Sequence, residues 1–455
     1  MRGIIYYGPP GTAKTTTLLE HLKERREETF MYLAYTRTAA NEAAERFGGS
    51  SDGIRTIHSL CYEILGLGSE QVVSFNDLRR FGKLIGYPVT GEADGEEGDK
   101  YFTLLNYSRN ARVSLRSAYE KLRLQGCDFK ILEFFSDSYR KWKNKLGLVD
   151  YTDMLEKVAG EEFEMAVKTL LIDEAQDLSP LQWEVVDKIK AEKSYLCGDD
   201  DQAMYVWNGA DPHAMTDYAE RNNLVSETLK QSYRVPRKVH ALAGRILRNI
   251  RKRIRKEYHP TELEGTVERK APGATSFDES LVLYRTKYLG REIEEVLVER
   301  GVPYKIYGQG KGMFYGREAN AARTYMALQR GDSPVHPAKI RSLLSFLPAQ
   351  YTLGRGVHLK RIRAAPWGKI LKLEPAVLSY LSKVDLDIKP NITLSTIHSA
   401  KGREADKVIV HTGMGRTAWE ALSRTPDDEH RVWYVAVTRA RKNLAIVPGT
   451  LDYIL

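Results

Sequence analysis

The stretch from Ile4 to Leu22 constrains the fold of this chain more than any other. Ile4-Ile5-Tyr6-Tyr7 reads as a buried strand, Gly8-Pro9-Pro10-Gly11-Thr12-Ala13 as a turn, and Thr16 to Leu22 as a helix that starts at Lys14-Thr15. A strand that turns through glycine directly into a helix is a building block of parallel α/β sheets. The same geometry aims backbone N–H groups and a helix N-terminus at one point, which is how proteins hold phosphate groups. Gly8 through Thr16 are therefore candidate nucleotide-binding residues. In the pattern G-x-x-x-x-G-K-[ST], Lys14 would reach the β and γ phosphates and the Thr15 hydroxyl would ligate Mg²⁺. Ala13 stands where the second glycine belongs. Alanine disfavours positive φ, so a working loop is expected to hold Ala13 at negative φ.

A second strand-like run, Leu170-Leu171-Ile172, ends in Asp173-Glu174-Ala175-Gln176-Asp177. Carboxylates placed where a buried strand surfaces can hold a metal ion and orient a water, the two tasks of nucleotide hydrolysis. Lys193 to Cys197 reads as a further strand, followed by Gly198-Asp199-Asp200-Asp201-Gln202 and by Tyr205 and Trp207 in a polar loop. Gln202 is placed to sense a γ phosphate. The two aromatics are candidates for base stacking, and Trp207 taken singly reads as core.

At 455 residues the chain implies two to four domains. Cys61, Cys127 and Cys197 have no metal-ligand spacing and read as buried thiols of a reducing compartment. Met1-Arg2-Gly3 runs directly into the first strand and no apolar run is long enough to span a bilayer, which points to a cytoplasmic protein without a membrane partner. The formal net charge of +9 suggests a polyanionic partner. That charge is uneven: Arg245 to Lys256 is dense in arginine and lysine, whereas Glu92 to Asp99 reads as a solvated acidic loop.

Further motifs continue to the end of the chain. Thr36-Arg37-Thr38-Ala39-Ala40-Asn41-Glu42-Ala43 and Thr56-Ile57-His58-Ser59-Leu60 precede Asp150-Tyr151-Thr152-Asp153-Met154-Leu155, and Leu229-Lys230-Gln231-Ser232-Tyr233-Arg234 follows the acidic box. Val282 to Arg285, Pro303 to Gly308, Thr396 to Glu404 and Tyr434 to Ala440 complete the series. In this order the motifs resemble those of superfamily 1 DNA helicases of the UvrD/PcrA/Rep type, from residue 8 to about residue 447.

The resemblance implies an α/β fold of two tandem RecA-like domains with ATP between them. The first would comprise 1–66 and 151–227, with a helical insertion at 67–150; the second would comprise 228–330 and 388–455, with a short insertion at 331–387. It implies that Asp173 positions Mg²⁺, Glu174 acts as general base, and Gln202 touches water and γ phosphate. Gln176 and Asp177 would link the acidic box to the Gly198 to Ala210 motif and the DNA track. Arg234 and Arg439, both from the second domain, would neutralise the transferred phosphoryl group. Tyr233 would stack on the base, and Gly402 and Glu404 would contact the nucleotide. Thr36, Arg37, Thr56, His58, Tyr205, Trp207 and His398 would line a single-stranded DNA track. The implied activity is ATP-dependent 3′ to 5′ translocation and unwinding at single/double-strand junctions, by a monomer working with replication, repair or recombination partners. A single-strand translocase that strips proteins, and a DNA-stimulated ATPase subunit of a larger complex, stay open.

Two departures from the family pattern stand out. Residue 8 leaves no room for the glutamine motif that reads adenine, so other nucleotides stay open as substrates. The second insertion is short and basic, with Lys339, Arg341, Arg355, Lys360, Arg361, Arg363, Lys369, Lys372, Lys383 and Lys389 in or beside it. It reads either as a solvated face or as a reduced duplex-gripping module.

Overall fold

The computed structural model describes residues 3–24, 29–48, 52–91, 96–271, 277–307, 312–332 and 335–455. The chain divides into two compact units, 1–234 with 250–261, and 235–249 with 262–455. Each is built on a six-stranded sheet in which every neighbouring pair is parallel.

In the first unit the strands are β1 (Gly3–Tyr7), β2 (Phe30–Ala34), β3 (Ile54–Thr56), β4 (Met165–Ile172), β5 (Ile189–Gly198) and β6 (Val225–Thr228), in the order β3-β2-β4-β5-β1-β6. Successive side chains alternate between the faces, as a pleated strand requires. Ile5, Leu33, Leu170, Ile172 and Leu196 meet the helices Ile57–Ile64, Tyr151–Gly160 and Pro180–Val186 on one side. Tyr6, Tyr32, Leu171, Tyr195 and Cys197 meet Lys14–Lys23 and Arg37–Phe47 on the other. Burial on both faces explains the unbroken apolar runs of the sequence, each large side chain adding about 1.5–3 kcal/mol. Because β1, β4 and β5 are parallel neighbours, the loops that leave their C-terminal ends gather at one edge of the sheet, where α/β proteins bind ligands.

The described residues of 67–150 are mainly helical and enclose an aromatic core around Phe81, Tyr101, Phe102, Phe135 and Tyr139. The Asp150 to Leu155 motif is the junction between these helices and the sheet. Asp150 caps the helix Tyr151–Gly160 by accepting from Asp153 N, and it pairs with Arg109 at 3.0 Å and Lys143 at 2.6 Å. Arg109 also reaches Asp153 and Glu156, each at 2.6 Å. Of the acidic stretch expected as a solvated loop, residues 92–95 lie outside the described residues. Asp99 is buried instead, because its carboxylate accepts from the N–H groups of Thr90, Gly91 and Glu96.

The second unit contains β7 (Thr266–Arg269), β8 (Leu281–Tyr284), β9 (Tyr304–Ile306), β12 (Ile392–Thr396), β13 (Ala405–His411) and β14 (Ala440–Val447), in the order β7-β14-β13-β8-β12-β9. Gly308 of the Pro303 to Gly308 motif lies outside the described residues. The insertion holds an antiparallel hairpin of β10 (Thr352–Leu353) and β11 (Gly356–Val357) among short helices. Its Leu343, Ile362, Leu371, Tyr380 and Leu381 share one apolar cluster with Val282, Leu394 and Ile409 of the sheet. Residues 331–387 thus pack as part of the second unit's core, and the ten lysines and arginines in or beside them are all exposed.

The unit boundary falls later than motif order implies. Residues 228–234 and 250–261 pack with the first unit. Cys61 and Cys197 are buried free thiols, and Cys127 is only partly buried. Among the described residues, no helix is long and apolar enough to cross a membrane.

Candidate functional site

The loop after β1 curls over its own lysine. Gly8 N donates to Gly198 O at 2.9 Å, tying the loop to the end of β5, and Lys14 Nζ donates to Gly8 O at 2.9 Å. A Cβ on Gly8 would lie 2.2 Å from Lys14 Cγ, so this approach requires glycine. Thr12 closes the turn by donating to Pro9 O at 2.8 Å. Ala13 differs from the expectation of negative φ. It sits at φ 63°, ψ 33°, in the left-handed region, and leads into the helix Lys14–Lys23. The following threonine and lysine are thereby aimed at the loop's centre, at the cost of backbone strain that glycine would not carry. Ala13→Gly is expected to raise the unfolding free energy by about 1 kcal/mol. Urea denaturation of the two proteins in parallel checks this, and a less stable variant would count against the left-handed backbone.

At the end of β4, one strand removed from β1, Asp173 is buried. Its Oδ2 accepts from Thr15 Oγ1 at 2.6 Å and from the Tyr32 hydroxyl at 3.0 Å. Burial, and then the adjacent Glu174 carboxylate, push the Asp173 carboxyl above its ordinary range, while Thr15, Lys14 and Tyr32 pull it back. A hydroxyl and a crowded, buried carboxylate 2.6 Å apart are a donor set that suits a small divalent cation such as Mg²⁺.

Glu174 also adopts the left-handed region, at φ 52°, ψ 41°. Its Oε2 accepts from Gln176 Nε2 at 2.6 Å. Gln176 is fully buried, and its Oε1 accepts from Asp199 N at 2.9 Å. The Asp199 carboxylate in turn accepts from Gln202 Nε2 at 2.6 Å. Glu174 and Gln202 are therefore joined through Gln176 and Asp199 across two strand ends. Asp177 lies beside this chain of bonds, accepting from Gln176 Nε2 at 3.2 Å. Neither Asp199 nor Tyr32 is singled out by the sequence, since a single aspartate of three and a strand tyrosine carry no local signature.

Arg234 is corrected in its location. Motif order assigns it to the second domain, yet it lies on the first unit beside the loop. Ser232 Oγ donates to Pro10 O and Tyr233 N donates to Gly11 O, both at 2.8 Å. A Cβ on Gly11 would fall 2.4 Å from Arg234 Cβ, so Gly11 admits this segment where any other residue would block it. Tyr233 extends into solvent with 73% of its surface exposed.

Also in the first unit, a cavity of about 300 Å³ is lined by Tyr35, His58, Tyr151 and Tyr205, with Asn106 and Asn110 from the helical region. Tyr35 and Tyr205 pack at 4.9 Å between ring centres, and His58 meets Tyr151 edge-on at 5.6 Å. Burial pushes His58 down to about 4, so it is a neutral imidazole at neutral pH. Thr36 and Thr56 are engaged as helix caps, accepting from Ala39 N and Ser59 N. Arg37 is exposed. Trp207 is not core: it lies outside the cavity lining and is 42% exposed.

In the second unit, Arg439 is buried, with Nε donating to Val435 O at 3.0 Å and Nη1 to Arg403 O at 3.4 Å. Gly402 takes φ 79°, and Glu404 lies 3.6 Å from Arg441. His398 is pushed down to about 3 by burial first, then by the charges of Arg285 and Lys401.

The basic run from Arg245 to Lys256 is in part an internal structure. Lys256 is enclosed by Asp199, Asp200 and Asp201, and Arg253 pairs with Asp201. The three clustered aspartates have the spacing of a cation site, and the ammonium group of Lys256 fills it.

A family model described as an AAA domain matches residues 2–208, and one described as the UvrD-like helicase C-terminal domain matches residues 369–448. The ATP-dependent DNA helicase UvrD2 of Mycobacterium tuberculosis is 26% identical over 361 residues, which cover 66% of this chain and 51% of that protein. The ATP-dependent DNA helicase PcrA of Bacillus subtilis is 24% identical over 362 residues, covering 68% of this chain and 48% of its own. The chain spans about half the length of the curated relatives it matches. Among solved structures, an arterivirus nonstructural protein 10 helicase aligns with 98% of this chain and 59% of its own, at 11% identity and a TM-score of 0.37.

Proposed function

We propose that this chain, which belongs to the UvrD-like family of superfamily 1 helicases, hydrolyses ATP to move 3′ to 5′ along single-stranded DNA and to open duplex at single/double-strand junctions. One observation carries the reading. The Thr15 hydroxyl, from the first turn of the helix that follows the β1 loop, and the Asp173 carboxylate, from the end of β4, meet at 2.6 Å beside Glu174, which is itself linked through Gln176 and Asp199 to Gln202.

In this mechanism the Gly8 to Thr16 loop cradles the phosphates and Lys14 neutralises their β and γ oxygens. Thr15 and Asp173 would hold Mg²⁺, which when bound supplies charge for the phosphate oxygens. Glu174 takes a proton from the attacking water, and Gln202 orients that water against the γ phosphate. Arg234 stabilises the charge that develops on the transferred phosphoryl group, and Arg439 is the second arginine proposed for that task. Tyr233 offers its exposed ring to the base, and Glu404, beside Gly402, contacts the ribose.

DNA is the proposed activator. The aromatic cavity of the first unit suits a base turned out of the strand, with Tyr205 as a stacking wall and His58 as a neutral partner. Thr36, Arg37, Thr56, Trp207 and His398 are proposed to line the same track. Tyr205→Ala is expected to weaken single-strand binding by about 1–3 kcal/mol, read as fluorescence anisotropy of a labelled oligonucleotide. Affinity equal to wild type would remove Tyr205 from the track.

A second reading, translocation that strips proteins with little unwinding, draws support from the insertion at 331–387. Its apolar side chains are spent inside the second unit's own core. Phosphate release measured with and without single-stranded DNA tests what both readings share. Strong stimulation is expected, and turnover indifferent to DNA would refute both.

A further inference from the structure

The first unit closes on a segment that has to leave the second unit to reach it. Residues 250–261 pack with the first unit, although the chain on either side, 235–249 and 262–455, belongs to the second. Two anchors hold this strap. At one, the Lys256 side chain is 2% exposed and places its ammonium 2.8 Å from Asp199, 2.5 Å from Asp200 and 2.8 Å from Asp201. The three N–H donors of the ammonium match three carboxylates. Arg253 adds a two-pronged pair to Asp201 at 2.7 and 2.6 Å, and Ile254 N donates to Asp200 at 2.8 Å. At the other anchor, His259 N donates to Lys230 O at 2.6 Å and Ser232 N donates to His259 O at 2.9 Å. The strap thus grips both the loop that carries Gln202 and the segment that carries Arg234.

The clasp is chemically unusual. Three buried aspartates face two cations, so the five side chains together carry one formal negative charge. Burial works against the Lys256 charge, and the three carboxylates more than offset it, so the ammonium stays protonated. A buried arrangement of this kind does little for stability that apolar packing could not do, and removing one member leaves the others stranded. Its value lies in fixing one geometry. Asp199 is the shared member: it holds Lys256, it accepts from Gln202 at 2.6 Å, and its N–H reaches the Gln176 that holds Glu174.

We infer that Lys256 is a positioning residue for hydrolysis, setting Gln202 and Glu174 through Asp199 and fixing them to the strap of residues 250–261. The inference rests on the roles proposed above for Glu174 and Gln202.

Lys256→Met tests it by steady-state hydrolysis at saturating single-stranded DNA, with turnover normalised to nucleotide-binding sites. Turnover per site is expected to fall about tenfold or more, with KM for ATP changing less than about threefold, because the phosphate contacts are untouched. Lys256→Arg should restore part of the loss, since it keeps the charge and several donors. A merely structural lysine would lower the number of binding sites and leave turnover per site unchanged. Should Lys256→Met not fold, Lys256→Met with Asp200→Asn keeps the cluster's single formal negative charge and carries the same expectation. A folded single or double variant with wild-type turnover per site would overturn the inference. Glu174→Gln is run alongside: if it hydrolyses normally, the reading of the catalytic residues fails, whereas an inactive Glu174→Gln beside a fully active Lys256→Met sinks the role of Lys256 alone.

Discussion

Glu174→Gln is expected to lower ATP turnover by about 10²- to 10⁴-fold while leaving nucleotide affinity intact. Glutamine has the shape of glutamate but cannot accept the proton of the attacking water. The substitution should not disturb the local fold. The hydrogen bond that Gln176 Nε2 donates at 2.6 Å can be accepted by the new amide oxygen. The left-handed backbone at residue 174, φ 52°, is as open to glutamine as to glutamate. Asp173 would also lose a like-charged neighbour, which removes one of the two causes that raise its carboxyl. Metal and nucleotide binding should therefore persist or tighten. Single-turnover phosphate release together with binding of a fluorescent nucleotide separates the two quantities. Undiminished release would exclude Glu174 as the base.

Arg234→Ala should cost about 10³- to 10⁵-fold in turnover, the range associated with arginines that stabilise a transferred phosphoryl group. Placement favours this residue. Ser232 and Tyr233 dock on Pro10 and Gly11 by 2.8 Å hydrogen bonds, so Arg234 leaves the chain beside the phosphate loop. It belongs to the same compact unit as Lys14, and its approach does not depend on the second unit. Arg234→Lys should recover little, because an ammonium cannot offer the planar pair of donors that fits two phosphate oxygens. Affinity for ATP should fall far less than turnover, since the charge that the arginine answers develops only in the transition state. A variant whose affinity and turnover fall in equal measure would make Arg234 a binding residue instead.

The sequence discloses the parts of the site that obey local rules. Ile4 to Tyr7 and Leu170 to Ile172 are apolar runs that suit strands buried on both faces, and the polar residues that follow such runs gather at the strand ends. Lys14, Thr15, Asp173 and Glu174 are therefore legible from residue order alone. Conformation at single residues is less legible. Alanine carries no signature of positive φ, so the left-handed turn at Ala13 runs against the preference of its own residue type. Pairings between distant segments are hidden as well. Lys256 sits in a basic run that looks like a nucleic-acid surface, and its partners lie more than fifty residues upstream. Charge patterning along a chain cannot tell a solvated cation from one enclosed by aspartates. The same limit applies to Asp99, whose acidic neighbours suggest solvent although it accepts from three backbone N–H groups.

The compact units differ from domain limits drawn from motif order for a related reason. Motifs mark where chemistry sits along the chain, whereas units are defined by packing. The Gln231 to Arg234 motif resembles one that begins a second domain, yet its hydrogen bonds go to Pro10, Gly11 and His259 of the first unit. The insertion at 331–387 likewise looks separable because it is short and basic. Its cations do face solvent, but Leu343, Ile362 and Leu381 are core residues of the second sheet.

The proposal that hydrolysis drives directional movement and strand opening is tested most directly by strand displacement on two duplexes, one with a 3′ single-stranded tail and one with a 5′ tail. With ATP and Mg²⁺ the 3′-tailed duplex should be opened and the 5′-tailed one left intact, and Glu174→Gln should open neither. Displacement from the 5′-tailed duplex alone, or from neither by the wild-type protein, would contradict the account.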